Sequence, residues 1–453
     1  MDRIAKIKAN VDKNRDLILK TERYIWEHPE TGFREWTANA YMKEIFQSLG
    51  YSLTEAGNVP GFYADLDTGR RGPTVCILGE LDSLLCSTHP DANAETGAVH
   101  ACGHNAQCAT LAGVAAALKE PGALDGMCGR IRLMAVPAEE LLEIGYREEL
   151  RKKGVIRYLG GKVEFMSRGF FENVDISMMI HTSAMKDGHA FGISKGGNGC
   201  LVKNIDYTGV AAHAGGAPQN GINALYAATA GIQAVNALRE TFRDDEHIRF
   251  HPIITEGGQA VNAIPHLVRI ESYVRGASIS AIKAANERIN CALAASAAAF
   301  GANVHLGDRP GYFPLNNDEN LRLIAKEVME QIVPAEQVNL NDHWGTGSTD
   351  MGDLSAVMPV IHPYAAGAVG TGHGSNYFIE DPELACVNPA KALCLMAYKL
   401  LEGEGENAIK VIAESKPLFT SQQEFLSFID SLALDIDAVT YCEDGTVSIQ
   451  YKK

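Results

Sequence analysis

The chain has 453 residues, too many for one simple hydrophobic core, and this length implies two domains. Apolar residues make up 46% and charged residues 21%, the balance of an ordinary globular protein. The formal charge of −16 disfavours nucleic acid and anionic membrane surfaces as partners, because both call for a basic face.

The opening MDRIAKIKANVDKNRDLILK holds no long apolar stretch and does not read as a signal peptide. Ile4, Ile7, Val11, Ile18 and Ile25 recur at helical spacing, so a helix is expected over 2–28, ended by His28-Pro29. A second helix is expected over 36–49, stopped by Gly50. From about residue 60 the pattern becomes strand, loop, helix. TVCILGEL (74–81), RIRLMAV (130–136) and DISMMIH (175–181) read as buried strands, and NAQCATLAGVAAALKE (105–120) as a small-residue helix. This alternation predicts an α/β layer, a mostly parallel sheet with flanking helices.

The character changes after SKGGNG (194–199). Half-exposed and antiparallel strand patterns at 200–209, 247–258 and 266–276 alternate with long helices at 221–238 and 278–301. Two helices over one antiparallel sheet form an inserted α+β two-layer unit. The expected domains are therefore 198–311, inserted, and a discontinuous larger one of 1–197 and 312–453. Residues 420–453 read as a helix and a small hairpin around Glu443-Asp444-Gly445, with no function assigned. No run is expected to reach the roughly 20 apolar residues of a membrane span. The ten scattered cysteines read as reduced cytoplasmic thiols, nine of them in the core and Cys102 set apart.

Three of the expected strands run into residues that bind metal or move protons: Glu80 and Asp82, Glu139 and Glu140, and His181. Sites in open α/β sheets gather beyond the carboxyl ends of strands. In GAVHACGHNAQ (97–107), Cys102 and His104 stand two residues apart in a loop before a helix, where thiolate and imidazole can face one way and suit zinc or a similar ion. His373 lies in the glycine-rich AGAVGTGHGSNYF (366–378), whose glycines let backbone approach a ligand closely. An isolated Glu-Glu pair is usually a solvated acidic loop. Beside metal donors it has a second reading, in which one acid ligates and the other acts as general base for amide hydrolysis.

With these residues in place, the chain resembles the zinc metallopeptidase family that includes aminoacylase, glutamate carboxypeptidase, indole-acetyl-amino-acid hydrolase and p-aminobenzoyl-glutamate hydrolase. The motifs that carry the likeness, in order, are YIWEHPETGFREWTANAYMKEIFQSLGY (24–51), GELDSL (79–84), VHACGHNAQ (99–107), VPAEE (136–140), GVAAHAGGAPQNGINAL (209–225), GGQAVNAIP (257–265), GSTDMGDLS (347–355) and GTGHGSNYF (370–378). The nearest look is to aminoacylase-like dipeptidases and aminobenzoyl-glutamate hydrolases.

The resemblance implies a zinc-exopeptidase-like catalytic domain and an inserted lid that mediates dimerisation. It implies two divalent ions per chain, zinc first, with manganese, cobalt or nickel as alternatives. Cys102, His104, Glu140, His181 and His373 are the implied ligands, and Glu139 is the implied general base. Asp82 is implied to orient a group of the site from outside the ligand shell. His213 is implied to reach a neighbouring subunit and steady the tetrahedral oxyanion. Asn262 and Arg275 are implied to hold the substrate's carbonyl and carboxylate. Glu80 falls where more distant relatives carry a histidine ligand, and it receives no role.

Two features depart from the family pattern. Gln107 replaces a histidine of one family branch and has no assigned role. The long basic stretch 146–162 reads as a solvated helix with charge pairs such as Glu149–Lys153.

The expected reaction is hydrolysis of the amide bond of an N-acyl amino acid or dipeptide with a free carboxylate. The expected partners are this small-molecule substrate and a second copy of the chain. The rivals are a folate fragment, p-aminobenzoyl-glutamate, as substrate, and a non-catalytic binding protein on the same scaffold.

Overall fold

In the computed structural model, which describes residues 3–185 and 187–452, Thr74–Glu80 is buried at all seven positions inside a six-stranded sheet. A strand without a polar face needs cover on both sides. Arg130–Val136 and Ile176–Met178 flank it in parallel, and Val360–Ile361 extends the parallel set. Phe62–Asp67 and Thr54–Glu55 finish the other edge as antiparallel strands. The expected mostly parallel sheet is thus present, with its three site-bearing strands adjacent in one layer.

The helix His104–Lys119 packs on this sheet and is buried from His104 to Leu118. Its alanines and Gly113 let neighbours come close: a Cβ at Gly113 would lie 2.5 Å from Ile18 Cδ1 of helix Arg15–Glu27. The single helix expected over 2–28 is two, Arg3–Lys13 and Arg15–Glu27. They break at Asn14, whose amide donates to the Asn10 carbonyl (2.9 Å) and Glu120 (3.3 Å); asparagine competes with the helix for backbone partners.

Two other expectations need correction, one on length and one on burial. The helical segment Glu383–Leu401 is long and apolar enough by length and composition to span a bilayer, and 78% of its most apolar 18-residue stretch is buried within the protein, as in a core helix. Of the nine cysteines expected in the core, Cys442 is exposed and Cys86 and Cys291 are half-buried.

The chain forms two units. The first comprises Met1–Gly196, Leu315–Trp344 and Asp353–Gln422, and the second Gly197–Pro314, Gly345–Gly352 and Gln423–Lys453. The second unit has an antiparallel sheet in the order Arg249–Phe250, Leu267–Gly276, Gly199–Thr208, Asn303–Pro310, Leu434–Asp437, with Ile253–Glu256 also on Leu267–Gly276. Helices Ala224–Ala237 and Ile279–Ala299 cover one face, as expected of a two-layer unit.

The expected assignment of 312–453 to the first domain needs correction. Leu434–Asp437 pairs with the free edge of Asn303–Pro310, which draws the tail into the second unit. Residues 345–352 follow it there, and Arg275 Nη1 donates to Ser348 Oγ at 3.0 Å. The helix Gln422–Ser431 and the hairpin of Val439–Tyr441 with Val447–Ile449 stand where they were expected.

Candidate active site

All five expected ligands lie in the first unit, at the carboxyl ends of the central strands and on two loops beside them. Gly103 makes the Cys102–His104 turn possible. Its φ is 105°, and a Cβ there would lie 2.3 Å from Thr182 Cγ2, so only glycine fits. Opposite, the His373 N–H donates to the Ala101 carbonyl at 2.8 Å, and Tyr377 Oη donates to the Cys102 carbonyl at 3.0 Å. His373 itself has a φ of 64°, a strained backbone of the kind held at functional positions.

The side chains converge in two groups that share one sulfur. Cys102, His104 and His181 form one, and Cys102, Glu140 and His373 the other; within each group the donor atoms lie within 4.8 Å of one another. Cys102 Sγ is 3.4 Å from His181 Nε2, and His373 Nε2 is 3.2 Å from Glu140 Oε1.

The histidines are oriented from behind. His104 Nδ1 lies 2.8 Å from the Asp82 carbonyl and 3.2 Å from its carboxylate, and His181 Nδ1 lies 2.6 Å from the Thr182 carbonyl. Each Nδ1 is therefore placed to donate its proton outward, and each Nε2 is the atom that would turn a lone pair toward a cation. His104 Nε2 faces Glu80 Oε2 at 3.1 Å and Glu140 Oε1 faces His373 Nε2 at 3.2 Å, both buried and neither in hydrogen-bond geometry among the described residues. Imidazole and carboxylate donor atoms crowded beside a thiolate without hydrogen-bond geometry fit a borderline divalent cation. Asp82 also accepts the Glu140 N–H at 2.8 Å, so one carboxylate aligns a residue of each group.

Charge at the site is tightly coupled. Burial and Glu140 push the Cys102 thiol up, but His104 and His181 outweigh them and hold it at about 6. Burial would raise Glu140, yet the approach of His373 brings it down to about 2. His373 is raised to about 11 by Cys102 and Glu140. His100, fully buried, is pushed down to about 3 by burial and then by His104, and belongs to neither ligand group.

Glu139 falls in a third cluster, with His104 and Glu80, its Oε2 lying 3.8 Å from His104 Nε2. The two adjacent acids thus belong to different donor clusters.

Sequence reasoning missed three residues here. Glu80 is 1% exposed and ion-pairs with Lys162, which is fully buried. Burial would raise the Glu80 carboxyl, but Lys162 and His104 hold it well below the usual range. Gln107 grips Glu80 twice: its Nε2 donates to Oε2 at 2.8 Å, and its Oε1 accepts the Glu80 N–H at 3.2 Å.

The basic stretch is consequently not solvated throughout. Glu149 and Lys153 do pair on the surface (3.7 Å), but Arg147 and Lys162 are buried. A signal was present: Lys162 interrupts the apolar YLGGKVEFM, where a lysine needs an anion to be buried.

In the second unit, His213 and Asn262 lie together. The Ala214 N–H donates to the Asn262 carbonyl at 2.9 Å, and His213 bridges Ala263. His213 Nδ1 accepts the N–H groups of Gly215 (3.1 Å) and Gly216 (2.8 Å), which leaves Nε2–H to donate outward. Arg275 is not with them. It stands at the far end of Leu267–Gly276, eight residues along an extended strand, or about 26 Å.

Fold and site together define a metal-dependent hydrolase of amide bonds. Residues 62–398 match Peptidase family M20/M25/M40, and the chain belongs to that family. It is 26% identical to the human Xaa-Arg dipeptidase over 93% of each chain. It is 24% identical to the N-acetyl-L-cysteine deacetylase of Bacillus subtilis, over 68% of this chain and 71% of that one. Its fold is similar to that of a dinuclear metal-binding M20 peptidase from Bacillus subtilis, with a TM-score of 0.62 and 19% identity over 87% of this chain and 99% of the other.

Proposed function

We propose that the protein removes the acyl group from an N-acyl amino acid, or splits a dipeptide, with a free carboxylate on the leaving side. The observation that carries this reading is the pair of donor groups sharing Cys102, with Glu139 set beside them and outside both. Cys102, His104 and His181 would hold one divalent ion, and Cys102, Glu140 and His373 the other, zinc suiting this S/N/O set best. Ions bound there would acidify water and polarise the scissile carbonyl. Glu139 takes the proton from the attacking water and returns it to the departing amine. Asp82 keeps His104 and Glu140 aligned. Asn262 would hold the substrate's carbonyl and Arg275 its carboxylate; about 26 Å apart in one chain, they meet one substrate only when they come from different subunits.

Chelator-treated protein is expected to lose all turnover on a panel of N-acyl amino acids, dipeptides and aminobenzoyl-glutamate. Zinc, manganese or cobalt restores it, and the panel ranks the substrates. Untreated protein that holds less than about one ion per chain and cleaves nothing on the panel would instead be a binding protein on this scaffold. Reloading is also expected to release protons, because His373 is protonated at neutral pH in the metal-free site and must lose that proton to ligate. Metal affinity therefore rises with pH. Calorimetry in two buffers of different ionisation heat checks the sign.

The same reading includes a homodimer through the second unit. Ile253–Glu256 is an edge strand with Ile253 and Ile254 exposed, while Leu434–Asp437 covers the opposite edge of that sheet. In such a dimer His213, whose Nδ1 already accepts two N–H groups, would serve the oxyanion through Nε2–H at the neighbouring subunit's site. Ile253→Lys with Ile254→Lys is expected to shift the particle mass by light scattering from dimer to monomer, and an unchanged mass counts against this edge. The ten free thiols fit a reducing, cytoplasmic setting.

A further inference from the structure

Segment 141–162 brings two buried cations to the site, Arg147 at 1% and Lys162 at 0% exposure. A buried charge is tolerated only when it is paired and hydrogen-bonded, so two in one short segment need a cause. Their partners are the two strand ends that carry the site's acids.

Lys162, near the start of helix Gly161–Ser167, ion-pairs with Glu80 Oε1 at the end of Thr74–Glu80. The other Glu80 oxygen is 3.1 Å from His104 Nε2. The start of this helix is pressed against the acid-bearing loop: the Gly161 N–H donates to the Ala138 carbonyl at 3.1 Å, and a Cβ at Gly161 would lie 1.6 Å from the Pro137 oxygen.

Arg147 grips the same loop from the other side. Its guanidinium donates to the carbonyls of Leu159 (2.6 Å), Ala138 (3.4 Å) and Glu140. Glu35 Oε1 accepts the Ala138 N–H at 2.7 Å, and Asp82 accepts that of Glu140. Within this cage Ala138 is held at a φ of 57°, a left-handed conformation that surrounding contacts must maintain.

We propose that segment 141–162 is a clamp on the catalytic acids. Lys162 fixes Glu80 against His104, and Arg147 fixes the backbone that aims Glu139 and Glu140. Both are positioning residues; neither meets the substrate. The proposal rests on the hydrolase reading above. If Lys162 only neutralised Glu80, removing both charges together would be harmless. If Arg147 only supplied charge, lysine would replace it, yet lysine lacks the planar fork that reaches three carbonyls.

The test uses the full-length, cobalt-loaded protein, with Glu80→Gln/Lys162→Met as a double variant and Arg147→Lys as a single one. Thiolate-to-cobalt absorption, cobalt retained after dialysis, kcat and KM are measured. Both variants are expected to show a shifted absorption spectrum and kcat lower by about 10–100-fold, with KM nearly unchanged. A folded variant with the parent's spectrum and kcat overturns the clamp. If the double variant does not fold by circular dichroism, Arg147→Lys, which keeps every buried charge, decides alone. Failure of the unsubstituted protein to bind cobalt or cleave any substrate would overturn the hydrolase reading itself, and the clamp with it.

Discussion

Glu139→Ala is expected to keep its metal and lose about 10²–10⁴-fold in kcat, the usual contribution of a positioned general base. The expectation follows from where the two acids point. Glu140 lies with Cys102 and His373, whereas Glu139 Oε2 lies 3.8 Å from His104 Nε2 and outside both groups that share the sulfur. Truncating Glu139 leaves those donors in place. Truncating Glu140 removes one and should lower metal content as well as rate. Metal analysis and steady-state kinetics on the two variants separate the roles, and normal turnover in Glu139→Ala would end the assignment of the base.

Cys102→Ala should be the more destructive change. Its sulfur is the one atom common to both donor groups, so both lose a ligand at once, and turnover is expected to fall to background with metal lost from both positions. His181→Ala and His373→Ala each weaken a single group, so about half the metal should survive gentle dialysis. Cys102→Ser discriminates further. A hydroxyl does not ionise near neutrality as this thiol does at about 6, so serine should not rescue metal binding. Full metal content in Cys102→Ala would show that the shared sulfur is not a ligand.

Much of the framework was legible in the chain. The strands at 74–80, 130–136 and 176–178 announced themselves as apolar runs ending in acids or a histidine, because a strand buried on both faces can carry polar chemistry only where it leaves the layer. The Cys102–Gly103–His104 turn was visible for a similar local reason: alternate donors in a glycine-bearing loop before a helix can face one way. The inserted unit showed as a change from buried runs to alternating strands.

What escaped depended on partners distant in sequence. Lys162 and Glu80 are 82 residues apart, and Gln107 and Glu80 are 27 apart. Nothing local to Lys162 names its anion. Its charge pattern beside Arg147 and Lys153 looked solvated because surface pairing at i, i+4 follows from local spacing, while burial does not. The tail Leu434–Asp437 joined the second unit for a like reason: strand pairing is decided by which edge lies open, and an open edge belongs to the folded sheet.

The sequence by itself therefore marked which side chains offer donor atoms, which strands deliver them and that two adjacent acids stand among them. Only the tertiary structure decided that one sulfur serves both donor groups, that Glu80 is tied to a buried lysine, and where each unit's segments belong. Periodicity and residue chemistry are local properties, whereas convergence and burial arise only when distant parts of the chain share the same low-dielectric space.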